Sequence, residues 1–179
     1  YNCDLESTNK EGHTPLMLAA CFPHDNADGR SKVRIDEGAM IHDKNQIGEW
    51  QGYTPMHIAI RKNNYNAIQA LTNHSCDLEI PSKDGSTPLM LLARIGNDNR
   101  DLEMIQLLIK NGAKMNFKGF WGNTPLHNTI NHNHYELFKA LMKYSDQFDL
   151  EVTNKDGETP LMLLIRLGND RTRILEMIK

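Results

Sequence analysis

Cysteine is scarce in this chain: among 179 residues there are only Cys3, Cys21 and Cys76. Their number is odd and no two stand in C-x-x-C spacing, so they read as free thiols suited to a reducing compartment, with the cytoplasm as the default. Long apolar runs are missing too, since no stretch approaches the roughly 20 residues that a membrane-spanning helix needs. Nor is there a strong charge of either sign. The net charge of −3 and pI near 6.2 give no electrostatic reason to expect nucleic acid or an anionic lipid surface as a partner. What remains is ordinary material, 39% hydrophobic and 24% charged, enough for one domain or one continuous array.

The chain is organised around a tetrapeptide that returns five times: Thr14-Pro15-Leu16-Met17, Thr54-Pro55-Met56-His57, Thr87-Pro88-Leu89-Met90, Thr124-Pro125-Leu126-His127 and Thr159-Pro160-Leu161-Met162. Each copy predicts the start of a helix. A Thr hydroxyl accepts from an orphan backbone N–H at the N-cap, and Pro at the first helical position lacks a donor that would be wasted there. A glycine stands two residues upstream in every copy, as a tight turn requires. From Thr14 to Thr54, Thr87, Thr124 and Thr159 the intervals are 40, 33, 37 and 35 residues, the period of a solenoid.

A G-x-T-P-L-H start followed by an apolar helix, a turn and a second apolar helix resembles the ankyrin repeat, and the resemblance covers essentially the whole chain. Leu107-Leu108-Ile109, Asn111-Gly112-Ala113 and Met115-Asn116 are similar to the leucine-rich second helix of that family and its closing turn. The fold it implies is an all-α ankyrin-repeat solenoid of stacked helix-turn-helix units with short β-hairpin fingers. The expected boundaries are a partial repeat over 1–8, then repeats starting near 9, 49, 82, 119 and 154, the last incomplete. Residues 3–12 match the tail of a unit and 174–179 match the interior of a second helix, so a piece of a longer array is expected.

The copies alternate. The first, third and fifth share a Lys ahead of the turn glycine (Lys10, Lys83, Lys155) and Met after Thr-Pro-Leu, whereas the second and fourth carry Trp50 and Trp121 near that glycine, then His57 and His127. Apolar stripes at helical spacing, Leu102, Ile105, Leu108 and Ile109, then Leu137, Phe138 and Leu141, predict the faces that bury. Gly112 suits a left-handed helix end, while Ser75 and Ser145 in comparable places predict that the even units end their helices differently. The stretch from Cys21 to Gly52 departs most from the pattern and is expected to be irregular or an inserted functional loop.

Candidate chemistry is thin. In ankyrin-like units the histidine of the first turn has a structural role between neighbouring loops, and the resemblance implies this for His57 and His127. His132 and His134 would point apart on a helix, which argues against a metal site with His127. Cys21 near His24 lacks an orienting third group, and Asp25 to Gly29 lacks the frame of a calcium loop. The chain therefore reads as a non-enzyme with no cofactor and no metal.

The resemblance places the residues around Gly52 and Gly122 on projecting fingers and those at the end of each first helix on a concave face. Here these are Trp50, Gln51, Tyr53, Arg61 and Lys62; Phe120, Trp121, Asn123, Asn131 and His132; and Lys83, Ser86 and Arg94 between them. The function expected is recognition of another protein by a monomeric array. Trp50, Tyr53, Phe120 and Trp121 would serve as apolar anchors and Arg61, Lys62, Lys83 and Arg94 would read acidic groups at the rim. Either tryptophan would alternatively fold back onto a neighbouring finger. A second reading is the targeting arm of a larger multidomain enzyme or a secreted bacterial effector, which would act in the host cytoplasm.

Overall fold

The structure, a computed structural model, describes residues 8–21, 41–45, 48–96 and 99–167. All five Thr-Pro sequences open a helix: α1 (Pro15–Cys21), α2 (Pro55–Arg61), α4 (Pro88–Ile95), α6 (Pro125–Asn131) and α8 (Pro160–Leu167). Between them lie α3 (Tyr65–Asn73), α5 (Asn99–Lys110) and α7 (Tyr135–Met142), with a short 3-10 turn over Ser145–Gln147. The Thr hydroxyl accepts the N–H three residues on at 3.3 Å from Thr14 and Thr159, 3.4 Å from Thr87 and 3.5 Å from Thr124. Each such cap contributes about 1 kcal/mol.

The Thr-Pro helices form an inner row in which α1, α2, α4, α6 and α8 pack each on the next, and α3, α5 and α7 form an outer row behind them. One continuous core runs between the rows. Its fully buried members include Met56, Ile58, Leu89, Leu91, Leu92 and Leu126 from the inner helices and Ile68, Leu71, Met104, Ile105 and Leu108 from the outer ones. The stripe of α5 and that of α7 bury as their spacing demands, Leu102 remaining half-exposed. On α8, by contrast, Leu161, Met162 and Ile165 are exposed, although Leu89, Met90 and Ala93 at the matching positions of α4 lie beneath α6. Among the described residues no inner helix follows α8.

Polar side chains tie each unit to its neighbour about one repeat away. Asn64 caps α3 by accepting from Ala67 N–H at 3.1 Å while its amide donates to Ala20 O at 3.2 Å. Asn128 donates to Met90 O at 3.2 Å, and His134 Nδ1 lies 3.0 Å from Ala93 O. Along the loops behind the outer helices, Lys114 N–H donates to Glu79 Oε1 at 2.7 Å and Asp149 N–H to Asn116 Oδ1 at 3.0 Å. The bonds of Asn64, Asn128 and His134 satisfy helix-end and carbonyl groups that stacking would otherwise strand, whereas the two loop bonds lie at exposed positions.

Two expectations need correction. Ser75 does not end its helix differently from Gly112: it takes the left-handed conformation itself, φ 54°, and Cys76 N–H reaches back to Leu71 O as Ala113 N–H does to Leu108 O. Burial of Cys76 and Leu78 just beyond the turn holds it there. Of the described outer helices α3, α5 and α7, it is α7 that ends otherwise, through Tyr144 and the 3-10 turn. The fingers, secondly, contain no strand among the described residues. Each is a turn closed by two backbone bonds, as where Gly119 N–H donates to Asn123 O at 3.0 Å and Gly122 N–H to Gly119 O at 2.9 Å. A reach this short closes before a second rung can form. His24, Asp25 to Gly29 and the 22–40 part of the divergent stretch lie outside the described residues.

Candidate functional site

The fingers stand in a row because glycine lets each touch the next. A Cβ on Gly85 would lie 2.5 Å from Phe120 Cδ1 and 2.9 Å from its backbone nitrogen, and one on Gly122 would lie 2.9 Å from Lys155 N. Lys155 N–H donates to Trp121 O at 2.9 Å. Finger four is therefore clamped on both sides, and its tip is the most exposed aromatic surface described, with Phe120 59% and Trp121 74% accessible.

Trp50 lies elsewhere. It is 7% accessible and belongs to the core, so it does not offer the fingertip anchor expected of it. In finger two the closing bonds span Asn45 to Tyr53, against Asn9 to His13 in finger one, which leaves four extra residues to accommodate. Residues 48–53 fold back as a second turn in which Gln51 N–H reaches Gly48 O and Tyr53 N–H reaches Trp50 O. That turn puts the indole edge-on to Tyr53 at 6.1 Å, with Arg61 and Lys62 5.2 and 4.9 Å from its ring centre. Tyr53 is half-buried and meets His57 edge-on at 5.6 Å. Arg61 and Lys62 thus cover an internal ring, and cation–π contact with a desolvated indole holds them there.

Arg94 is likewise engaged within its own unit. It binds Asp84 at 2.5 Å, and Asp84 also receives a short hydrogen bond from Ser82. Burial pushes the Asp84 carboxyl up, but the Ser82 hydroxyl and the guanidinium outweigh it, and its pKa lies below the usual carboxylate value. Ser86 is buried, its carbonyl turned to His57. Gln51 and Lys83 are exposed and joined at 3.0 Å. Asn131 and His132 are exposed at the end of α6, and Asn123 is half-buried.

His57 and His127 are structural bridges. Thr54 N–H donates to His57 Nδ1 at 3.3 Å, which leaves the proton on Nε2 to meet Ser86 O at 2.9 Å in the next unit. His127 repeats this with Thr124 at 3.2 Å and Glu158 O at 3.0 Å. Burial pulls both below the usual histidine pKa, His57 to about 4. His132 and His134 do not point apart: left-handed Asn133, φ 57°, turns the chain between helices and brings the rings to 5.9 Å. Burial, the nearby His134 and Arg94 lower the pKa of His132. Among the described residues no group of three His, Cys, Asp or Glu is placed to hold a metal ion. Burial raises the Cys21 thiol pKa, which disfavours the thiolate. An open cleft of about 450 Å3 between residues 112–117 and Gln147 has Lys114 as its one titratable lining residue.

Two tip residues were absent from the sequence-based set. Lys118 precedes finger four, and Lys155, on finger five, holds its ammonium 5.9 Å from the Trp121 ring centre. The signal for Lys155 was available, since it repeats Lys83 within the recurring Lys-Asp-Gly.

Two stacked rows of helices joined by clamped turns, each unit tied to the next, define a helical repeat solenoid. A sequence model of ankyrin repeats matches the chain in three copies, over residues 1–80, 32–116 and 89–178, and the chain belongs to the ankyrin-repeat family. It is similar to Transient receptor potential cation channel subfamily A member 1 of Homo sapiens, 26% identical over 98% of this chain and 15% of the relative. It is also similar to Neurogenic locus notch homolog protein 1 of Xenopus tropicalis, 31% identical over 89% of this chain and 8% of the relative. A putative ankyrin repeat protein of Fowlpox virus (strain NVSL) is 27% identical over 82% of this chain and 41% of its own length. The chain thus spans less than half the length of each of these relatives. Ankyrin repeats are generally protein–protein interaction modules and typically non-catalytic. No helix among the described residues is long and apolar enough to cross a membrane.

Proposed function

We propose that this array binds a partner protein, as a monomer, through its finger tips and the groove along the ends of its inner helices. The observation that carries this is the exposed pair Phe120 and Trp121 on a finger clamped by both neighbours. Two rings so exposed amount to apolar surface on the order of 300 Å2, worth about 7 kcal/mol gross on burial before the costs of association. Aromatics fixed in place lose little entropy when a partner covers them, which is the profile of a binding hot spot. Asn123, Asn131 and His132 would supply hydrogen bonds beside them, and Gln51 with Lys83 would extend the surface to finger three. Cys21 and Cys76 are free thiols, which suits a reducing compartment, and the cytoplasm is the compartment proposed.

The test separates the two tryptophans. Trp121→Ala should weaken capture of the partner at least tenfold with helical content and melting unchanged. Trp50→Ala should cost about 3 kcal/mol of stability, as expected for truncating a buried ring. If Trp121→Ala left capture intact, or if it unfolded the array, the fingertip would not be the site.

A further inference from the structure

We propose that the tip of finger four takes an acidic protein segment carrying at least one apolar side chain, an inference that rests on reading this surface as a partner site. The charges that face the tip are lysines. Lys155 on finger five holds its ammonium 5.9 Å from the Trp121 ring centre, and Lys118, two residues before Phe120, is exposed at the base of finger four; Lys83 on finger three is exposed as well, its ammonium turned to Gln51 of finger two. The acids on these same fingers are largely committed elsewhere: Asp84 to Arg94 and Ser82, and Glu158 to Arg166 through two bonds of 2.5 and 2.9 Å. Each arginine therefore pairs with an acid of its own unit, leaving Lys118 and Lys155 at the tip, with Lys83 on the far side of finger three, against Asp156. The outer layer has the opposite bias, with eight Asp and Glu against five Lys and Arg across residues 65–81, 99–117 and 135–153. A chain of net charge −3 thus turns its basic side to the fingers.

The geometry decides what such a collar selects. Phe120 is pinned against Gly85, and the backbone of Trp121 is held by Lys155, so the rings stay apart from the core and available to an apolar side chain. Carboxylates spaced along an extended segment would meet the ammonium groups of Lys118 and Lys155 in succession, steering encounter and fixing register. An anionic membrane surface presents related charges, but two aromatic rings and two lysines at one tip fall short of the paired signals that stable anchoring takes. A membrane would also leave the hydrogen-bonding side chains of Asn131 and His132 without use. The protein segment is the occupant that the surface fits.

The experiment uses the full chain and labelled peptides of about 12 residues in which Leu and Phe alternate with Glu, with Gln or with Lys; about three charges would reach the collar at strand spacing. Vesicles of phosphatidylcholine with about 30% phosphatidylserine form a fourth arm. The Glu peptide should bind at least tenfold more tightly than the Gln peptide, and the Lys peptide should be weakest. The preference should vanish between about 0.05 and about 0.5 M salt, as screening shortens the reach of exposed charges. Lys118→Gln with Lys155→Gln should erase it too, at unchanged helical content, and Trp121→Ala should weaken all that binds. Equal binding of the Glu and Gln peptides, both lost in Trp121→Ala, would overturn the acidic preference while leaving the partner site standing. Glu-peptide binding indifferent to Trp121 would overturn both. No binding of the Glu peptide, or Trp121-dependent binding to vesicles alone, would overturn the inference in favour of no acidic partner or of a lipid surface.

Discussion

Acid should loosen this array at its bridging histidines, and most of all at the joint between units two and three. His57 is fully buried, accepts from Thr54 N–H and donates to Ser86 O, an arrangement that requires the neutral ring. Its pKa lies at about 4 in the fold and near 6.5 in the unfolded chain. Between those values the unfolded chain binds the additional proton. Stability is thus complete above about pH 6.5, falls as pH drops through that window, and levels off below about 4. At 1.36 kcal/mol per pKa unit, the loss by pH 4.5 is roughly 2 to 3 kcal/mol. Met occupies the equivalent position in the odd units, where Met17 and Met90 are buried, so His57→Met keeps the volume. At pH 7.5 this variant should be less stable by about 1 to 2 kcal/mol, for the two bonds it loses. Ser86 O retains its bond from Ser82 N–H at 2.9 Å, which limits the loss. Urea unfolding at both pH values should bring the two proteins together, or reverse their order, at pH 4.5. A stability difference that stays constant with pH would refute the assignment of the acid sensitivity to this ring.

The finger row makes a graded prediction. Gly85→Ala and Gly122→Ala should each destabilise by about 2 to 4 kcal/mol in thermal melts, because a left-handed backbone and a collision with the next finger add. Gly157→Ala, with nothing within 4 Å, should lose only the roughly 1 kcal/mol of backbone strain. Equal losses at Gly85 and Gly157 would mean that the fingers do not touch as described. Ser75→Gly should raise stability by about 0.5 to 1 kcal/mol in urea titration by relieving φ 54°, and a loss would show that the Ser side chain supports the turn.

The repeat itself was legible in the sequence, and for local reasons. Thr-Pro starts, the turn glycines and the apolar stripes of α5 and α7 act within a few residues, so each unit declares its inner helix, its finger and its buried face whatever its neighbours do. The bridging role of His57 and His127 is the one that the ankyrin resemblance implied for a first-turn histidine. What the sequence could not rank was the two tryptophans, which stand near a turn glycine in paired units and look alike. Four extra residues in finger two, enough for a second turn, carry Trp50 into the core beneath Arg61 and Lys62, while the short finger four leaves Trp121 outside. Charge availability was equally hidden. Arg94 and Lys83 look equivalent as basic residues of one unit, yet only contact across the turn pairs Arg94 with Asp84, and only stacking brings Lys155 to Trp121. Local patterning determined which elements form. Contacts made between units, through closeness that no spacing rule encodes, decided which side chains are spent inside the solenoid and which remain to meet a partner.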